Sequence, residues 1–200
     1  MTRGERSRPG VREELTVPGP EEMRALGRRL AAVLRPGDLV VLNGALGTGK
    51  TTLVQGIGAG LGVRGPVTSP TFVIARVHPS LTGGPALVHA DAYRLASPAE
   101  VDDLDLDASL ETSVTVVEWG GGLVEGLTAD RLEVSISLAE PVTVPGGTGG
   151  VPDGTGPDEE PRTVRLEGHG ARWAGLAGRA GRVRWATSGN NPAGTGRAAT

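Results

Sequence analysis

Eight consecutive residues carry the clearest chemical content of this chain. Gly44-Ala45-Leu46-Gly47-Thr48-Gly49-Lys50-Thr51 has the spacing G-x-x-x-x-G-K-[ST]. Glycines let successive backbone N–H groups turn inward around a phosphate, and a helix opening at Lys50 adds the partial positive charge of its N-terminus. A compact ammonium at Lys50 would reach β- and γ-phosphate oxygens, and the Thr51 hydroxyl is a hard oxygen ligand suited to Mg²⁺. Of the twenty Lys and Arg residues, Lys50 is the one lysine. A chain that uses arginine for every generic positive charge has kept lysine in the slot where the phosphate loop needs it. A nucleoside triphosphate with Mg²⁺ is the ligand this pattern calls for.

A metal-bound triphosphate also needs carboxylates near the cation, at the carboxyl ends of strands beside the loop. Leu87-Val88-His89-Ala90-Asp91 and Val114-Thr115-Val116-Val117-Glu118 are short apolar runs that end in acids. Parallel strands would bring Asp91 and Glu118 to the same sheet edge as Lys50. His89 is a base, a water orienter or a structural histidine. Asp102, Asp103, Asp105 and Asp107 lack the glycine and terminal glutamate of a calcium loop and read as a solvated acidic face.

The elements that position these groups follow from hydrophobic spacing. Leu15 to Val17 starts a strand. Met23, Leu26, Leu30 and Val33/Leu34 recur at helical spacing up to Pro36-Gly37. Leu39 to Leu42 is a continuous apolar run, the mark of a strand buried on both faces. It precedes the glycine loop, and a helix follows to Leu61 before Gly62. Further strands are expected at Phe72 to Val77, Ala86 to His89, Val114 to Val117, Leu132 to Leu138 and Thr163 to Leu166. Ser97-Pro98 reads as a helix opening, and Ala171 to Val183 as a last helix. The alternation predicts an α/β fold with a mostly parallel central sheet in a single domain, residues 14–186, and the glycine loop between strand and helix makes the expected fold the three-layer P-loop NTPase fold. Residues 1–13 and 187–200 read as flexible tails. Pro141 to Pro161, eleven of whose 21 residues are Gly or Pro, reads as a disordered insertion between two strands. Deleting Val142 to Glu160 is accordingly expected to leave the melting temperature and ATP affinity nearly unchanged, because loop shortening costs little. A large fall in melting temperature would refute that expectation.

Composition narrows the function further. The 200 residues carry a net charge of −3 and no cysteine, which excludes disulfide scaffolds, thiolate metal sites and cysteine nucleophiles. No apolar run approaches the ~18 residues of a membrane span, and the charged N-terminus has no apolar signal core, so a cytoplasmic protein is expected. Aromatics at 2% argue against stacking on single-stranded nucleic acid. The base-reading N-K-x-D motif of regulatory GTPases is excluded, because the one lysine is already used in Gly49-Lys50-Thr51.

Four motifs in order and register, Gly44 to Thr52 (GALGTGKTT), Thr68-Ser69-Pro70-Thr71-Phe72, His89-Ala90-Asp91-Ala92-Tyr93-Arg94-Leu95 and Val117-Glu118-Trp119, resemble the bacterial tRNA threonylcarbamoyladenosine biosynthesis ATPase family (TsaE/YjeE). The match runs from about Glu13 to Leu138. The resemblance implies a P-loop ATPase that works with a threonylcarbamoyl transferase subunit and its inactive paralogue to install N6-threonylcarbamoyl on adenosine 37 of tRNAs reading ANN codons. The transfer itself belongs to the partners, and tRNA is met through the complex. By the same resemblance, Gly44, Ala45, Leu46, Gly47, Thr48, Gly49, Lys50, Thr51 and Thr52 cradle the nucleotide. Ser69 and Thr71 belong to a switch-like segment near the γ-phosphate, Asp91 and Glu118 are the metal-associated and catalytic acids, and Trp119 lies by the nucleotide. Metal ligation would fall to Thr51, Asp91 and Glu118. The chain departs from the family at Ala45, where an acidic residue is usual, and at Gly120-Gly121, where proline and glutamate usually follow the tryptophan.

Two other readings fit parts of this pattern. Compact small-molecule kinases share the loop but need an arginine-bearing lid after the central strands, where this chain offers only Arg131 before the insertion. A nonenzymatic ATP-dependent interaction switch would bind nucleotide without releasing phosphate. From Arg162 onward there are seven arginines against the single acid Glu167, a basic region that reads as a solvated tail or as a direct RNA contact.

Overall fold

The computed structural model describes residues 12–70, 74–102, 106–139 and 160–174. Seven strands form one sheet: β1 (Arg12–Val17), β2 (Leu39–Asn43), β3 (Ala75–His78), β4 (Ala86–Asp91), β5 (Ser113–Glu118), β6 (Arg131–Leu138) and β7 (Arg162–His169). Their spatial order is β1-β7-β6-β2-β5-β4-β3. The four central strands β6, β2, β5 and β4 run parallel, and the strands at both edges are antiparallel to their neighbours.

Strand β2 sits at the centre because its side chains tolerate no water on either face. Leu39, Val40, Val41 and Leu42 are all fully buried. Val40 and Leu42 enter one core with Leu53, Ile57, Leu87, Val114 and Val116, under α1 (Pro20–Ala31) and α2 (Lys50–Leu61). Leu39 and Val41 enter a second core on the opposite face with Val101, Leu106, Leu110 and Val124. That face is covered by α3 (Pro98–Asp102), α4 (Asp107–Leu110) and the turn that follows β5. The result is a three-layer α/β arrangement over the parallel strands. On β6 and β7 burial alternates, with Leu132, Val134, Ile136, Val164 and Leu166 inside. These strands therefore present a polar second face, as antiparallel edges commonly do.

The helix α1 opens at Pro20, whose fixed φ and missing N–H suit a first turn, and carries Glu21 and Glu22 at its positive end and Arg28 and Arg29 at its negative end. It meets α2 backbone to backbone. A methyl group at Gly56 would lie 2.3 Å from the Arg24 carbonyl oxygen, and one at Gly27 would lie 2.4 Å from that of Leu53. Glycines here are packing residues that let the loop-bearing helix seat tightly on its neighbour.

Most of the expected elements occur, with shifted ends. The first helix begins at Pro20, three residues before its first expected apolar position, and the strand expected over Phe72 to Val77 is described over Ala75–His78, since 71–73 lie outside the described residues. The acidic stretch from Ser97 to Glu111 forms two short helices, and Ser97 Oγ donates to Glu100 Oε1 at 3.3 Å at the opening of the first. The last helix, α5, is described over Ala171–Ala174, and the expected continuation to Val183 lies outside the described residues, as do 140–159, 1–11 and 175–200. Asp103 and Asp105 fall outside them too. The short α5 is pinned by Arg172, which donates to both Asp38 oxygens at 2.9 and 2.8 Å and to the Val33 carbonyl at 2.7 Å, while Trp173 is fully buried beside it. Among the described residues, no helix is long and apolar enough to cross a membrane.

His78 on β3 supplies a pH-sensitive term. It is buried with Nδ1 3.4 Å from the Arg64 carbonyl. Burial pushes its imidazole below the ordinary 6.5, a shift opposed by the Arg64 contact and reinforced by the charges of His89 and Arg76. The unfolded chain therefore takes up this proton first as pH falls. Stability is expected to be fully present above pH 6.5 and to decline as pH falls through that value toward the lower folded pKa. Denaturant midpoints measured from pH 8 to pH 5 should show the decline, and His78→Leu should flatten it.

Candidate nucleotide site

Strand β2 delivers the chain to the glycine loop at its carboxyl end, and each glycine does a different task there. Gly44, Gly47 and Gly49 have φ of +151°, +77° and +103°. A side chain at Gly44 would also lie 2.3 Å from the Ile136 carbonyl oxygen. Thr48 Oγ1 closes the turn by donating to the Ala45 carbonyl at 2.9 Å. Ala45, Leu46 and Gly47 form the exposed tip, Leu46 being 91% accessible. Thr52 stands in the first turn of α2, half-buried.

Lys50 lies inside this loop, 5% exposed. Its Nζ donates to the Gly44 and Ala45 carbonyls at 2.8 and 3.0 Å and lies 3.8 Å from the centroid of the Trp119 ring. Burial lowers the ammonium's pKa from its ordinary 10.5, and the carboxylates of Glu118 and Asp91 work against that shift. The face of Trp119 adds a cation–π attraction. Trp119 reaches this place by a left-handed turn, φ +60°, just after β5, with its N–H bonded to the Leu42 carbonyl at 2.8 Å. Tyr93 lies against it, ring centroids 5.1 Å apart, and is 64% exposed.

The two acids meet through strand register. Strands β4 and β5 are parallel and pair Asp91 with Glu118, and Glu118 pairs with Leu42 of β2. Both acids are buried. Because side chains alternate along a strand, His89 and Asp91 share the α1/α2 face with Glu118. Glu118 Oε1 accepts from Thr51 Oγ1 at 2.9 Å and from His89 Nε2 at 2.9 Å. Asp91 accepts from Ser69 Oγ at 3.3 Å and from the Tyr93 N–H at 3.0 Å.

The structure thus brings together Lys50, Thr51, Glu118, Asp91, Ser69 and Trp119. Thr71 lies outside the described residues. Sequence reading left open what His89 touches, and it missed the tilted contact of Tyr93 with Trp119 and the brace in which the Gly121 N–H donates to Asn43 Oδ1 at 3.1 Å. The brace has a packing signature: a methyl group at Gly121 would lie 2.6 Å from Asn43 Oδ1, so the small residues after the tryptophan belong to this geometry.

The donor set suits Mg²⁺. Thr51 and Glu118 are already in contact and Asp91 is on the next strand, all hard oxygen donors. Among the described residues no group of three or more histidines and acids could hold a metal by itself. Mg²⁺ does not need such a cage, since it keeps waters and takes phosphate oxygens.

A family model described as Threonylcarbamoyl adenosine biosynthesis protein TsaE matches residues 17–142. The chain belongs to the TsaE family. A Streptomyces coelicolor protein named tRNA threonylcarbamoyladenosine biosynthesis protein TsaE is 59% identical over 153 residues, covering 76% of this chain and 94% of that one. A Mycobacterium tuberculosis protein of the same name is 48% identical over 146 residues, covering 66% and 87%. The crystal structure of Bacillus subtilis YdiB superposes with a TM-score of 0.64 at 27% identity, over 87% of this chain and 97% of that one. This TsaE family member accordingly has the P-loop NTPase-type fold expected of it, with the parallel centre as predicted and antiparallel strands added at both edges.

Proposed function

We propose that this chain is a Mg²⁺-dependent P-loop ATPase that supports N6-threonylcarbamoyladenosine formation at position 37 of tRNAs reading ANN codons. It would act with a threonylcarbamoyl transferase subunit and its inactive paralogue, which carry out the transfer. Family membership and the names of the relatives support the pathway. The observation that carries the ATPase reading is the contact of Thr51 Oγ1 with Glu118 Oε1 at 2.9 Å, which sets the phosphate loop against the acidic strand ends.

On this reading Lys50 exchanges the Gly44 and Ala45 carbonyls for phosphate oxygens, and the inward N–H groups of the loop take the remaining charge. Thr51 and Asp91, with Glu118 at hand, would hold Mg²⁺. Bound there, the cation neutralises charge across the β- and γ-phosphates. Glu118 Oε1 is already engaged by two donors, whereas Oε2 makes no hydrogen bond among the described residues. That oxygen is the acceptor for the proton of an attacking water. Ser69, bonded to Asp91, couples the segment 68–70 to the metal-side acid. Trp119 packs against the Lys50 ammonium, with Tyr93 against its outer side.

Among the described residues no arginine contacts Lys50, Thr51 or Glu118. Completing such a site in trans speeds phosphoryl transfer, which is the role assigned to the transferase pair. The test is phosphate release by the purified chain, alone and with that pair. Slow release alone and stimulation by the pair are expected. Rapid turnover driven by a small metabolite and indifferent to the pair would favour a kinase, and tight ATP binding with no phosphate released would favour a switch.

A further inference from the structure

His89 touches neither the phosphate loop nor, on the reading above, the metal, yet it bonds Glu118 directly. It is completely buried on β4, one strand in from the edge of the sheet. Its Nε2 lies 2.9 Å from Glu118 Oε1, and its Nδ1 has no hydrogen-bond partner among the described residues. A carboxylate oxygen only accepts, so Nε2 carries the proton of this bond, and Nδ1 is left without a partner. Burying an imidazole with half of its hydrogen-bonding capacity unused is costly, and an apolar residue would fill the same space more cheaply. The one bond it does make is therefore the reason for its presence.

That bond constrains Glu118 from a second direction. Thr51 approaches Oε1 from α2 and His89 approaches the same oxygen from β4. Thr51 is also the hydroxyl assigned to Mg²⁺, so His89 is the donor on Glu118 with no second duty. We infer that His89 is a positioning residue, whose Nε2–H holds the Glu118 carboxylate with Oε1 occupied and Oε2 left for the water proton. The inference rests on the ATPase reading of Glu118, and its test separates the two.

The kinetic arm measures phosphate release in the presence of the transferase pair, well below the melting temperature of each variant. His89→Asn keeps a polar side chain but falls short of Glu118. It is expected to lower kcat roughly 10- to 100-fold, the range typical when a partner that orients a reactive ligand is removed, with ATP affinity within about twofold of wild type. His89→Gln places an N–H donor near the Nε2 position and should recover most of the rate. In a Glu118→Gln background His89→Asn should cost little more, because a residue acting through Glu118 loses its effect once that carboxylate is gone. A merely structural histidine would give additive losses, and the Gln and Asn variants would differ little.

The second arm needs no turnover. In nucleotide-free protein the His89 Nε2–H should appear in ¹H–¹⁵N spectra as a slowly exchanging resonance, and Glu118→Gln should shift it. Additive kinetic losses, a wild-type rate in His89→Asn, or a resonance indifferent to Glu118→Gln would each overturn the inference while leaving the ATPase reading standing. Absence of phosphate release by the wild-type chain, alone and with the pair, would overturn the ATPase reading itself and with it the role of His89 in orienting a catalytic acid.

Discussion

Lys50→Ala is expected to weaken ATP binding by roughly 10²- to 10⁴-fold and to remove measurable turnover. Two charge-assisted hydrogen bonds to phosphate, each contributing about 1.5–3 kcal/mol, disappear together with the chain's only lysine ammonium. The lower part of that range is favoured by the geometry. In the free protein the ammonium already bonds the Gly44 and Ala45 carbonyls and lies over Trp119, so binding exchanges partners rather than creating them. Equilibrium dialysis with labelled ATP checks the affinity, and a melting temperature close to wild type shows that the loop's glycine geometry survives. Unchanged affinity would remove the basis for assigning a nucleotide to this loop.

Glu118→Gln separates binding from chemistry. The amide has nearly the size of the carboxylate, and its oxygen can still accept from Thr51 and His89. What it loses is basicity toward a water proton, an effect worth roughly 10²- to 10⁴-fold in rate for a positioned base. Turnover should fall by that order while the dissociation constant for ATP moves little. The Glu118 charge also favours the charged form of Lys50, so the variant's lysine should titrate at lower pH than that of the wild type. A variant with wild-type turnover would reduce Glu118 to an ordinary strand-end residue.

What could be read from the sequence was what depends on local pattern. The loop announces itself by glycine spacing, and β2 by four apolar residues in a row. Asp91 and Glu118 were legible as partners because both close apolar runs, and parallel pairing does bring them level. What could not be read depends on pairing and on backbone turns. Nothing in the runs 75–78, 162–169 or 12–17 states that they join their neighbours antiparallel, since strand direction is set by the connections and not by composition. Trp119 returns over Lys50 through a left-handed φ that its residue type does not favour, so its nearness to the loop came from the family resemblance alone and not from the pattern of residues. The His89 contact had a faint signal: two residues before Asp91 on a strand, it had to share that acid's face. The clasp of Arg172 on Asp38 spans 134 positions and has no sequence signal at all.

The order of strands across the sheet has a consequence for how the protein is made. Among the described residues β1, the first strand to leave the ribosome, pairs only with β7, the last, in the register Arg12↔Glu167 to Val17↔Arg162. Until β7 has emerged, β1 has no partner and β6 has an open side, while the core beneath α1 lacks Val164, Leu166 and Trp173. Pairings of such long range are slow to form and leave strand edges exposed to other chains in the interval. Nascent chains stalled before residue 162 should therefore carry a folded parallel centre with an unclosed flank, and that flank is where chaperones or aggregation would act first.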